Sequence, residues 1–280
     1  MTTDSRLRDR RITWILRLGA CLCFLGHGAF GLIGKSAWIP YFGVVGISEA
    51  HAWQLEPIVG SVDILLATLV LLRPRPIVLA YMTAWAIWTA LLRPLSGDSA
   101  WEAVERAGNY GVPFAFLVAA GWSREAGWWF RGIAFVSLSE DSMRRVRGTL
   151  VVATSLLLIG HGMLALVAKP GLVAHAQLLD PDHAATLARV FGWSELILAS
   201  AIVVRPTMTI ALTIAVWKLA TESLFLFAGA PAWEVVERAG SYAAPLALAV
   251  IFAERARTNR ADNRQERRRS PAKLHVVGTE

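Results

Sequence analysis

Long polar stretches are what this sequence has least of. Of its 280 residues only 18% are charged and 55% are hydrophobic, a balance foreign to one soluble domain. Cysteine is nearly missing as well: Cys21 and Cys23 are the two in the chain, and they share one apolar run. With no partners elsewhere they build no disulfide framework, and their spacing is not that of a CxxC redox or zinc motif. No flavin, haem or iron–sulfur signature is present, so no electron-carrying cofactor is evident and no metal site is expected. The formal net charge of +7 comes mostly from arginines at the two ends and in one linker, a placement that argues against nucleic-acid binding.

What fills the chain is a series of apolar runs of about twenty residues, the length of a helical bilayer crossing. The run over 12–34 is too long for a signal-peptide core and reads as a retained first span. Further spans follow near 55–72, 76–93, 148–168, 186–204 and 207–228, and two more open with a repeated motif. That motif, Trp101-Glu102-Ala103-Val104-Glu105-Arg106-Ala107-Gly108-Asn109-Tyr110, returns as Trp233-Glu234-Val235-Val236-Glu237-Arg238-Ala239-Gly240-Ser241-Tyr242, with eight of ten residues identical. Other features recur with it. Gly26-His27-Gly28 and Lys35 return as Gly160-His161-Gly162 and Lys169, Asp63 is matched by Glu195, and Trp85 by Trp217.

These correspondences predict an all-α integral membrane protein of eight transmembrane helices, arranged as two parallel four-helix repeats. Residues 1–11 form a basic tail, 12–122 and 146–254 the repeats, 123–145 an interfacial linker, and 255–280 a basic tail too polar to fold alone. An even number of spans per repeat gives both the same orientation, with a pseudo-two-fold axis along the membrane normal. Lysine and arginine gather at Arg73, Arg205, the linker and the two ends, which assigns both termini to the cytoplasm as a fused pseudo-dimer.

The polar residues inside the spans mark the candidate site, because an ionisable group in hydrocarbon is costly unless it faces protein or water. On a continuous helix Glu102, Glu105, Arg106, Asn109 and Pro113 share one face, as do Glu234, Glu237, Arg238, Ser241 and Pro245. Helical rise puts His27, Asp63, Glu105 and Arg106 roughly 8–12 Å inside the external edge, and His161, Glu195, Glu222, Glu237 and Arg238 roughly 8–14 Å. Counted within each half, two carboxylates are left in excess, with Lys218 and Glu222 having no counterpart in the first half. Each half is therefore expected to hold its own externally facing cavity, lined by His27, Asp63 and Glu105 in one and by His161, Glu195, Glu222 and Glu237 in the other. The bland alternative is an ion cluster that fixes helix packing. Trp85, Trp88 and Trp217 face lipid or neighbouring helices, or stack on a ring ligand.

The four-span unit, the Gly-His-Gly-x-x-Gly...Lys ending at Lys35, the acidic Asp63 in an apolar second span and the acidic opening of the fourth resemble the DoxX-like family. The resemblance covers about 12–122 and again 146–254, as a fused tandem pair. It implies a bacterial inner-membrane protein, in some members linked to thiosulfate- or thiol-dependent quinone reduction. Quinone and a redox partner protein are then the expected partners beside membrane lipid. Two other functions fit the residues: a proton- or cation-coupled transporter or lipid-pocket protein, and a non-catalytic scaffold.

Overall fold

The computed structural model describes residues 3–133 and 136–269, with side chains over 5–133 and 136–254. Its elements are α1 (Thr3–Ile33), α2 (Ile39–Gly43), α3 (Glu49–Leu72), α4 (Pro76–Leu95), α5 (Trp101–Glu105), α6 (Ala107–Ala120) and α7 (Ala126–Phe130). They continue with α8 (Glu140–Leu166), α9 (Pro170–Gln177), α10 (Ala184–Val204), α11 (Met208–Phe227), α12 (Trp233–Glu237) and α13 (Ala239–Arg269). Among the described residues there is no strand. Six helices, α1, α3, α4, α8, α10 and α11, are long and apolar enough to cross a membrane by length and composition.

Helix α1 buries Ile12, Leu16, Ala20 and Phe24, four residues apart and so on one stripe, and α8 buries Val146, Leu150, Ala153 and Leu157 in the same way. These stripes meet Val112 and Phe116 of α6 and Ala244 and Leu248 of α13 in one core. Helices α3, α4, α10 and α11 pack around it and add their inner faces, with Val70, Leu79, Ile202 and Ile214 in the same core. Their outer faces expose Ile58, Leu65, Ile197 and Val216, as surfaces bathed in lipid do.

The core joins the chain in a crossed order. Helix α1 packs on α3 and on α12 and α13, whereas α8 packs on α10 and on α5 and α6. Gly26 of α1 sits against the backbone of Glu237, and Gly160 of α8 against that of Val104 and Glu105. At the centre Gly108 and Gly240 face one another so closely that a Cβ on Gly108 would meet Gly240's carbonyl carbon at 2.8 Å. Only glycine permits that approach.

Neither copy of the repeated motif lies on one continuous helix, as the apolar run led us to expect. The helix breaks at Arg106 (φ −82°, ψ 7°) and again at Arg238 (φ −92°, ψ 14°). There the amide of Asn109 donates to the Arg106 carbonyl at 2.9 Å and that of Ser241 to Arg238 at 2.8 Å, i→i+3 bonds that tighten one turn. The break lies one residue from the backbone on which the opposing glycine packs, so a contact from another helix sits where the turn tightens.

The 123–145 linker is held to the bundle rather than lying free. The amide of Leu138 donates to the buried Asp9 carboxylate at 3.0 Å, and that of Ile133 to the Pro74 carbonyl at 2.8 Å. At the other end the backbone of α13 stays helical to Arg269, well into the segment expected to be unstructured. That stretch holds no proline or glycine before Pro271 and is rich in Arg, a good helix former. The rest of the tail, 270–280, lies outside the described residues.

Candidate functional site

The polar layer forms where the two breaks meet the ends of α1 and α8. Beyond α1 the chain turns through Gly34 (φ +82°), and Lys35 there reaches across to the other half, with Nζ 2.9 Å from Glu234 Oε1 and 3.5 Å from Glu237 Oε1. The mirror contact places Lys169 Nζ 2.6 Å from Glu102 Oε1. Glu102 and Glu234 are thus partners of partly buried cross-ties between the halves. Arg238 gathers three carboxylates: Glu234 at 2.5 Å, Glu222 at 2.9 Å and Glu237 at 2.9 Å. Arg106 lies 3.6 Å from Glu105, the expected pairing, and 3.9 Å from Glu237 of the other half.

These ties change the charge count made from the sequence. Lys35 and Lys169, placed at the external edge by the sequence, enter the layer. Arg93 joins them, buried with its Nε 4.0 Å from Glu102, its Nη1 donating to the Thr89 carbonyl at 3.0 Å and its guanidinium 5.3 Å from the Tyr41 ring. Six cations (Lys35, Arg93, Arg106, Lys169, Lys218 and Arg238) then face six carboxylates (Glu102, Glu105, Glu195, Glu222, Glu234 and Glu237). The excess of two per half came from a count without Lys35, Arg93 and Lys169; these three basic side chains, two of which cross the boundary, remove most of it. Two buried carboxylates are left out of the balance, Asp63 and Glu56, the latter accepting the Lys35 amide at 2.9 Å.

In the second half the carboxylate is fully engaged. Glu195, 1% exposed, lies 2.8 Å from His161 Nδ1 and 3.3 Å from Lys218 Nζ, and accepts the Trp217 indole N–H at 3.1 Å. Lys218, wholly buried, also holds Glu222 at 2.9 Å. Little space remains: a cavity of about 20 Å³ beside Glu195 and His161, closed by Phe191, His175 and Phe225. His175, on α9 outside the spans, packs edge-on to Phe225 at 4.1 Å, and burial lowers its affinity for a proton. A second small space of about 40 Å³, wide enough for water, lies between Glu105, Arg106, His161, Lys169 and Arg238.

The first half has no equivalent plug. Asp63 is 3% exposed, and its Oδ1 has no hydrogen-bond partner among the described residues. It opens on a cavity of about 270 Å³ whose walls are Trp38, Tyr41, Phe42, Trp85 and Trp88, with Leu55, Val59 and Leu92 between them. His27 lines the same space, its ring stacked on Trp38 at 5.4 Å and its Nε2 3.9 Å from Glu237 Oε2. Arg93 lies along the wall, and the exposed Val45 and Trp88 also line the cavity. Tyr41, on the connection between α1 and α3, donates to Asp98 Oδ2 at 3.2 Å; burial raises its phenol above the ordinary value and keeps it a donor.

The residues picked out in the sequence therefore separate into three groups. His27 and Asp63 share the large cavity, whereas Glu105, expected with them, lies across the boundary beside His161 and Lys169. Glu195, Glu222 and His161 share the closed space of the second half, while Glu237 sits beside His27 and Lys35. Arg106 and Arg238 join the two. Trp85 and Trp88 turn to the cavity wall. Sequence reasoning passed over Arg93, Tyr41, Glu56 and His175; an arginine one residue before a proline near a span end was the signal for the first. No family model, curated protein or solved structure matches this chain.

Proposed function

We propose that this is a multi-pass membrane protein that takes an amphipathic, ring-bearing small molecule from the lipid phase into its first half. The observation that carries the reading is the aromatic cavity of about 270 Å³ with Asp63 on its wall, buried without a cation and with Oδ1 free of hydrogen bonds among the described residues. Small-molecule sites are concave, mostly apolar and marked by a few placed polar groups, and this cavity has that make-up. The second half, its carboxylate neutralised from within, serves as scaffold.

In this proposal the chain crosses the membrane eight times as two tandem four-helix repeats of DoxX-like kind, related by an axis along the membrane normal. The divided helices α5–α6 and α12–α13 supply the fourth and eighth crossings. Both termini lie in the cytoplasm of a bacterium and the cavity faces the outer leaflet. The arginine distribution and the eight-in-ten motif repeat support it. Cysteine labelling of Ser99 from the external side checks the topology; labelling from the cytoplasm overturns it.

Filling the cavity tests the ligand reading. Val59→Trp should abolish saturable quenching of tryptophan fluorescence by small aromatic amphiphiles in nanodiscs, with folding retained. Val216→Trp, on the exposed face of α11, should bind as the parent does. Unchanged binding in Val59→Trp removes the proposal.

A narrower reading has support of its own. His27 and Asp63 on one wall are two proton-exchanging groups beside a slot fit for a ring, which suits the membrane subunit of a quinone- or thiol-linked redox system. Electrons would then come from a partner protein. Decylubiquinone competing for the cavity with millimolar or better affinity is the expected result under that reading.

A further inference from the structure

Asp63 and Glu195 occupy matching places in the two halves, each ten residues before the arginine that ends its helix, Arg73 or Arg205, and each beside a tryptophan of the following span: Trp85 and Trp217. Their surroundings differ at the next residue. Lys218 follows Trp217 and puts its ammonium 3.3 Å from Glu195, whereas Ala86 follows Trp85. Glu222, which shares that ammonium, is matched by Ala90. The second half thus holds a carboxylate with its cation and almost no space, about 20 Å³. The first half holds a carboxylate with no cation and about 270 Å³.

We infer that the first-half cavity selects a cationic, ring-bearing amphiphile, an aromatic or alkyl ammonium, whose charge pairs with Asp63 as that of Lys218 pairs with Glu195 in the second half. The inference rests on the cavity being a ligand site and names the chemistry of its occupant. A buried carboxylate without a partner is costly, and a cation brought in by a ligand relieves that cost. The walls suit the same charge. Trp38, Tyr41, Phe42, Trp85 and Trp88 present ring faces, and such faces attract ammonium groups, the more so when desolvated.

Two other basic groups line the cavity, and a third, Arg106, borders a space of about 20 Å³ beside Asp63 and Ala86. Among the described residues none forms an ion pair with Asp63, and Arg106 is engaged by Glu105 at 3.6 Å and Glu237 at 3.9 Å. Arg93 is eight residues along α4 from Trp85, about 12 Å of helical rise, and is committed to Glu102, the Tyr41 face and the Thr89 carbonyl. His27 has Glu237 as its acidic neighbour, at 3.9 Å. Asp63 is therefore the one acidic group among the lining residues, without a cation of its own and set in a wall that is mostly aromatic and aliphatic, a polarity that matches an ammonium on a ring. A neutral quinone would leave the carboxylate uncompensated, which places the cation ahead of it.

The test uses the full chain in nanodiscs and two probes of one shape: benzyltrimethylammonium and its uncharged carbon isostere, neopentylbenzene. Calorimetry, with empty nanodiscs subtracted, should give the cation at least about a tenfold advantage, as expected for a charge-assisted contact. Asp63→Asn should reduce cation affinity to that of the isostere and leave the isostere unchanged. Ala86→Lys should do the same by supplying the carboxylate with an internal partner; if that variant does not fold, Asp63→Asn still decides. Equal binding of the two probes, or an unchanged preference in Asp63→Asn, overturns the cation inference and leaves the cavity as a neutral-ligand site. Binding of neither probe, with neutral aromatic amphiphiles still displaced by Val59→Trp, also overturns it. Binding of no amphiphile of any kind removes the ligand site itself.

Discussion

Three donors converge on Glu195 and none reaches Oδ1 of Asp63, although the two carboxylates stand at matching sequence positions. The difference lies in single residues of the following helix, Lys218 against Ala86, and its energetics are testable. Lys218→Ala should remove the buried ammonium that Glu195 and Glu222 share, leaving Glu195 with His161 and Glu222 with Arg238, and cost about 3–5 kcal/mol, read as lower folded yield and melting temperature. Adding Glu222→Ala should restore part of the loss, because Glu195 keeps His161 at 2.8 Å. Backbone strain gives a second prediction. Ala168 takes φ +54° where Gly34 takes +82° at the matching bend, so alanine there carries a penalty that glycine avoids. Ala168→Gly should raise stability by about 1 kcal/mol, measured by thermal unfolding in detergent.

The helices themselves follow from elementary causes. Runs of apolar residues long enough to span are helical because lipid leaves backbone amides no other partner, and α1, α3, α4, α8, α10 and α11 were each legible for that reason. The breaks at Arg106 and Arg238 were not. Nothing within Trp101–Tyr110 interrupts a helical pattern; the tightened turn lies beside Gly160 of α8, 55 residues downstream of Glu105 and invisible to any local window. Gly108→Ala probes the closest contact between the halves, since its Cβ would meet the Gly240 carbonyl at 2.8–2.9 Å. The expected cost is about 1–3 kcal/mol of overpacking, checked by unfolding in detergent. An unperturbed Gly108→Ala variant would mean the two helices part without loss.

For the whole molecule, the crossed pairing makes the halves depend on each other. Lys35 serves Glu234, Lys169 serves Glu102, and α1 and α8 each pack on the other half's motif. Residues 1–133 expressed alone should therefore be degraded, since Glu102 and Arg106 would lose their partners, and should be recovered by co-expression with 136–280. Accumulation of the lone first half as folded protein would count against the interlocked arrangement. By itself the sequence determined the class of protein, most of the helices, and the set of ionisable residues that lie inside them, because hydrophobicity, length and periodicity are local properties. It placed His27 and Asp63 near one level for the same reason. Which carboxylate met which cation, why Glu105 belongs with His161 and Glu237 with His27, and why one half is open while the other is filled were decided only by tertiary structure. Charge pairing acts over a few ångströms between residues up to 200 positions apart, such as Lys35 and Glu234, 199 apart, and only the packing of α1 and α8 brings them within that range.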